Sequence, residues 1–206
     1  KGPPCTSHRS GLTSQAMNFH RVAKSLFEAA MLKRLKRTGY AYLGTGSESV
    51  AAHSFGVVYA AWLLASLTPE ADTNRVIKMA LLHDLAEARI GDLNSVNKLY
   101  DTVDEERAFS DALSGLPLEN EARELVREYL AQESLEARLV HDADQIDLIV
   151  MLKEQKDLGN PYAPRWLSYA LRRIKTNTAR KLAEAVLETD WASWWLDHFV
   201  ARDEKA

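Results

Sequence analysis

Apolar residues recur at helical spacing along nearly the whole 206-residue chain, and no stretch alternates with the two-residue period of a half-buried strand. That periodicity predicts an all-α fold in one domain, a helical bundle. The spacing predicts a first helix from Asn18 to about Arg37, with Val22, Leu26, Ala30 and Met31 on one face. "TGYAYLGTGSES" interrupts it with three glycines and reads as a loop, and Ser47 or Ser49 is placed to cap the next helix. Val50 to Leu67, apolar and rich in small residues, is the expected central helix. Thr68-Pro69 ends it, Thr73 is the expected cap of the next, and Asn74 to Ile90 forms a further helix up to Gly91. Beyond the loop "DLNSVNKLYDT", helices are expected over about 103–113, 121–130, 135–158, 167–187 and 191–200. No internal repeat, low-complexity tract or domain boundary interrupts the pattern.

With 46% hydrophobic and 27% charged residues the chain has an ordinary globular composition. A net charge of -3 excludes a general nucleic-acid footprint, although a few local groups suffice for a small phosphorylated ligand. No apolar run approaches the length that crosses a bilayer. A lone cysteine, Cys5, excludes an internal disulfide framework and fits a reducing, cytoplasmic setting. Residues 1–16, "KGPPCTSHRSGLTSQA", lack the apolar core of a signal peptide and read as a disordered extension or an upstream remnant. Residues 17–206 then make up the folded domain.

Several polar residues stand where this pattern calls for apolar ones. Val76, Ala80, His83 and Glu87 follow the i, i+4, i+7, i+11 spacing, so His83 and Glu87 share a face that begins as core. Asp84 is on the same turn and Asp92 just past the helix end. His53 has Val50, Val57, Ala60 and Leu64 as face neighbours; Asp144 has Ala137, Val140, Leu148 and Met151. Burying such groups without a partner costs several kcal/mol, roughly, so something must compensate. Two imidazoles and two carboxylates from three helices (His53, His83, Asp84 and Asp144) suit one divalent ion: Mn, Co, Fe, Ni, Zn or Mg. Such an ion acidifies water and polarises a phosphoryl oxygen, and Glu87 and Asp92 are then placed for proton transfer beside it.

The ordered set "RTGY", "ESVAAHS", "HDLAEARIGD" and "SLEARLVHDADQID" resembles the HD-domain metal-dependent phosphohydrolases, whose signature H…HD…D matches His53, His83-Asp84 and Asp144. It is most similar to the branch of bacterial 5'-deoxynucleotidases and their eukaryotic HD-domain-containing relatives, over about residues 34–158. The resemblance implies an all-α HD bundle with one divalent ion on those four residues. Glu87 is implied as the proton-handling group, Asp92 as the residue near the sugar and scissile bond, and Arg37 as the phosphate contact. Tyr40 replaces the branch's usual tryptophan, where a base or sugar packs. Also implied are removal of the 5'-phosphate from nucleoside monophosphates and assembly as a homodimer. Three positions depart from the branch: Ala52 replaces a glutamate, and Leu43 and Gly56 replace arginines, which would take positive charge away from a phosphate site.

Rival readings keep the fold and change the use. Another phosphorylated substrate (a cyclic nucleotide, a dNTP or an alarmone) would suit the same centre, as would a non-catalytic nucleotide-binding module. Residue by residue, Glu87 has a surface alternative as partner of Arg89 or Arg75, Asp92 as acceptor for loop amides, and Arg37 as part of the solvated run "KRLKR". His141-Asp142 repeats the HD dipeptide but reads as structural, at most supporting Asp144. Glu48 is expected to cap the His53 helix, and Lys98 to be solvated or to reach a phosphate. Trp191, Trp194 and Trp195 are expected in the core or on a dimer face.

Overall fold

Six helices begin one residue after a polar side chain that accepts a hydrogen bond from the amide three residues on, which satisfies one of the otherwise unpaired donors of a helix start. Asn18, Ser49, Asp72, Asp104, Ser134 and Thr176 play this part. The computed structural model describes residues 18–203; the expected N-terminal extension and Cys5 lie outside the described residues. In chain order the helices are α1 (Phe19–Met31), α2 (Tyr40–Leu43), α3 (Val50–Ser66), α4 (Thr73–Leu82), α5 (Glu87–Ile90), α6 (Glu105–Leu113), α7 (Glu119–Ala131), α8 (Leu135–Asp157), α9 (Ala163–Arg173), α10 (Asn177–Glu188) and α11 (Ser193–Asp203), with a 3-10 turn at Asn97–Leu99. Among the described residues there is no strand, and none of the helices is long and apolar enough to cross a membrane.

The core is built around α8, which packs against α3, α4, α7, α9 and α10. Val57, Leu64, Val76, Met79, Leu139, Val140, Ile149 and Leu152 are fully enclosed there. A smaller cluster, Ala86, Phe109, Leu113, Ala122 and Val126, joins α6 and α7 to the segment around α5.

Away from the site, four features differ from the periodicity. The first helix stops at Met31 because Leu35 and Arg37 pair instead with residues 48–50: Val50 N donates to Leu35 O at 2.9 Å and Arg37 N to Glu48 O at 2.9 Å. None of its residues is buried, and Leu26 on the apolar face is 69% exposed. The glycine-rich loop contains the one-turn helix α2, ended by Gly44 at φ 73°. The cap of α4 is Asp72 rather than Thr73. Finally, the helix expected over 167–187 is split at Ile174–Thr176, because buried Asp142 accepts hydrogen bonds from Lys175 N at 2.8 Å and Thr176 N at 2.7 Å. The second HD dipeptide is therefore structural at its aspartate.

Candidate functional site

The expected helix 74–90 breaks at the residues of interest. α4 ends at Leu82, and the next turns are closed by i→i−3 bonds, Leu85 N to Leu82 O and Glu87 N to Asp84 O, both 3.0 Å. At three residues per turn, positions three apart eclipse, so Glu87 stands directly over Asp84. His53 enters from the first turn of α3, and its four expected face neighbours are all buried. Asp144 enters from the middle of α8.

These groups meet. His53 Nε2 lies 3.2 Å from Asp144 Oδ1 and 3.5 Å from Asp84 Oδ2, and His83 Nε2 lies 3.1 Å from Asp84 Oδ2. One ligand atom each from His53, His83 and Asp144 falls within 4.8 Å of the others. Both imidazoles are aimed by their other nitrogen: His53 Nδ1 is 2.7 Å from Asp147 Oδ2, and His83 Nδ1 is 2.7 Å from the Ala80 carbonyl. His53 Nε2, His83 Nε2, Asp84 Oδ2 and Glu87 Oε2 are buried without a hydrogen-bond partner. Orphans of this kind cost about 1–3 kcal/mol each and are rare in folded proteins, so four at one point mark a place for a cation. Metal bonds of about 2.0–2.2 Å at tetrahedral or octahedral angles put neighbouring donors roughly 3.0–3.5 Å apart, as found here. The donor set therefore fits a divalent ion.

Electrostatics point the same way. Burial opposes a charge on His53, yet the adjacent carboxylates of Asp144 and Asp147 raise it to about 10; the Asp84 charge raises His83 against the same penalty. The carboxylates of this pocket want a positive partner. Glu87 is pushed up to about 9 by burial and by the charges of Asp84 and Asp92. Its surface alternative fails, because Arg89 pairs with Glu28 and Arg75 with Glu124 and Glu128.

Arg37 is not part of a solvated face. Its side chain is only 20% exposed, with Nη1 3.5 Å from Asp84 Oδ2 and Nε 3.7 Å from Asp92 Oδ1. Burial opposes its charge, but Asp144, Asp84, Asp92 and Glu87 together raise it. Asp92 Oδ2 accepts from Thr38 N at 2.5 Å and from Thr38 Oγ1 at 2.7 Å, a residue far from the amides after Gly91 that its alternative named, while Oδ1 faces Arg37. Tyr40 lies against Gly46, where a Cβ would come 2.6 Å from the ring. Burial and Glu48 raise its hydroxyl pKa. Glu48 does not cap α3, since Ser49 does; it lines the cavity instead.

All eight expected site residues line one cavity of ≈ 370 Å³, within the range that holds a small ligand. Lys98 lines it as well. Leu43 and Gly56 do not: Leu43 is 2% exposed in the core, and Gly56 faces Asp147, which does line the cavity. Sequence reading missed Tyr129, Gln145, Asp147, Trp166, Tyr169 and Arg173. The α9 residues follow i, i+3, i+7 spacing, a detectable stripe; only their polar mixture hid it. Trp191, Trp194 and Trp195 are 38%, 77% and 39% exposed, so the core alternative is wrong for them.

A family model described as "HD domain" matches residues 29–186. The chain belongs to the HD-domain family. A bovine protein named 5'-deoxynucleotidase HDDC2 is 34% identical over 135 residues, covering 63% of this chain and 65% of that protein, so the match spans about two thirds of the relative's length. The human protein of the same name is 32% identical over 146 residues, with 66% and 71% covered. Among solved structures, a conserved hypothetical protein from Pyrococcus furiosus superposes with a TM-score of 0.70 at 31% identity, covering 81% of this chain and 99% of that one. His83-Asp84, the first of the chain's two HD dipeptides, stands at the break between α4 and α5.

Proposed function

We propose that this HD domain is a metal-dependent phosphohydrolase, a 5'-deoxynucleotidase-like phosphomonoesterase that removes the 5'-phosphate of (deoxy)ribonucleoside monophosphates. The observation that carries this reading is the meeting of His53, His83, Asp84 and Asp144, the first three with unpartnered polar atoms, with a half-buried Arg37 in one ligand-sized cavity. Relatives named as 5'-deoxynucleotidases support the substrate class.

His53, His83, Asp84 and Asp144 are the residues that would hold one divalent ion, of the Mn, Co, Fe, Ni, Zn or Mg group. When bound, it supplies positive charge that acidifies water and polarises a phosphoryl oxygen. Arg37 keeps guanidinium donors for the phosphate oxygens, and Asp92, fixed by Thr38, holds Arg37 in place beside the leaving 5'-oxygen. Glu87, within reach of the same space, takes a proton from the attacking water; the water oxygen joins phosphorus as the P–O5' bond breaks. The proton then passes to O5', giving inorganic phosphate and a nucleoside. Tyr40, Trp166 and Tyr169 give the cavity aromatic walls against which a base or sugar can pack. A homodimer in the cytoplasm completes the reading, with residues 17–206 as a single domain.

The test is phosphate release from a panel of nucleoside monophosphates by ion-stripped protein resupplied with Mn, Co, Mg or Zn, with Asp84→Ala as the control. Ion-dependent release that favours deoxyribonucleotides and is lost in Asp84→Ala is the expected result. Triphosphate from a dNTP, or pyrophosphate from an alarmone, would move the substrate; ion binding without any turnover would make the domain a sensor.

A further inference from the structure

His53 uses its two nitrogens differently. Nε2 faces Asp84 and Asp144, while Nδ1 lies 2.7 Å from Asp147 Oδ2. His83, the other imidazole of the site, is aimed by a neutral backbone carbonyl. A carboxylate does more than a carbonyl: it fixes the tautomer, locks the ring and makes the far nitrogen a more basic ligand. His53 is 1% exposed, so its ring is enclosed where Asp147 reaches it. Asp147 sits three residues beyond Asp144, so a single face of α8 offers one carboxylate to the centre and another to the residue beside it.

The facing helix makes room for this contact. A Cβ on Gly56 would stand 1.9 Å from Asp147 Oδ1 and 2.8 Å from its Cγ. Gly56 lies inside α3, where glycine is unfavourable relative to alanine and no turn requires it. The close approach of Asp147 supplies the missing reason. Any side chain at position 56 would push the carboxylate, the movable end of the contact, off Nδ1.

We propose that Asp147, admitted by Gly56, is a positioning residue of the ion centre: it holds His53 with Nε2 directed at the ion and strengthens it as a ligand. The inference rests on reading His53, His83, Asp84 and Asp144 as an ion centre. It reaches outside that set and gives Gly56 a function.

Co(II) titration against a competing chelator, the visible absorption of the Co(II) form and the thermal midpoint of ion-free protein test it in Asp147→Ala, Asp147→Asn, Gly56→Ala and the Gly56→Ala/Asp147→Ala double variant. Asp147→Ala is expected to weaken Co(II) binding about 10- to 100-fold and to shift the absorption band, with Asp147→Asn in between. Gly56→Ala should repeat the loss. The double variant should be no weaker than Asp147→Ala alone, because the new methyl then fills vacated space. If Asp147→Ala fails to fold, Asp147→Asn and Gly56→Ala decide the matter. Unchanged Co(II) affinity in the variants, with only a lower ion-free midpoint, overturns the positioning role and leaves a helix-to-helix contact. So does a double variant whose losses add. A wild-type protein that binds no divalent ion overturns the ion-centre reading itself, which separates the two failures.

Discussion

At the scale of single residues, the site is a contest between burial and charge, and Glu87 shows it most directly. Burial and the neighbouring carboxylates raise it from 4.5 to about 9. Between those values the ion-free folded protein holds a proton that the unfolded chain has released. Stability is therefore fully present below about pH 4.5 and is lost as the pH rises through about 9. His53, raised from 6.5 to about 10, acts in the same direction over its own window. The stability of ion-stripped protein, followed by its thermal midpoint, should fall across pH 5 to 9, by an amount on the order of a few kcal/mol at the alkaline end. Glu87→Gln should flatten the slope between pH 5 and 6.5 while leaving the His53 part above it. An unchanged slope in Glu87→Gln would mean that Glu87 is ionised throughout. Saturating divalent ion should reverse the trend, because its charge stabilises the forms that high pH produces.

At the scale of elements, the sequence was legible where periodicity and capping agree and misleading where a tertiary partner intervenes. His53 could be placed in the interior because Val50, Val57, Ala60 and Leu64 surround it on one helical face, and all four are buried. The break at Asp84–Glu87 could not be read, because nothing local forbids a continuous helix there; the i→i−3 bonds are selected by what they gather. Asp147 escaped notice for a related reason. Its partner is a histidine ninety-four residues away, and only the Gly56 gap, invisible along the chain, lets the two helices close on each other. The split between α9 and α10 is the same lesson in a structural setting. Asp142, 0% exposed, takes the amides of Lys175 and Thr176 that a continuous helix would have used internally. Asp142→Ala should orphan both amides and cost about 3 kcal/mol, at 1.5 or more for each bond to a charged acceptor. Chemical denaturation measures that loss, and Co(II) affinity should stay within about threefold of wild type, a difference under roughly 0.7 kcal/mol. Loss of ion binding without loss of stability would give the second HD dipeptide a part in the centre.

At the scale of the molecule, α3 is apolar on every side, although a helix with one wet face should carry a polar stripe. Its inner face is the core and the wall of the ion site. Its outer face carries Phe55, Tyr59 and Trp62 at i, i+4, i+7, exposed by 76%, 54% and 54%. Aligned aromatics on a rigid central helix are the composition of a protein interface, whose buried centre is enriched in such residues and depleted in charge. A second copy of the chain is the occupant that the homodimer reading requires, and the same helix would then link the subunit contact to His53, two residues before Phe55. Light scattering after size-exclusion chromatography should give twice the 23.1 kDa of one chain. Phe55→Glu combined with Trp62→Glu should return the mass to a single chain, since two like charges meeting across a two-fold interface cost several kcal/mol, roughly. Neither residue lines the cavity, so Co(II) affinity in this variant should persist. A wild-type protein that runs as one chain at tens of micromolar (about the concentration a weak contact needs) would assign the stripe to a different partner and remove the dimer from the proposed function.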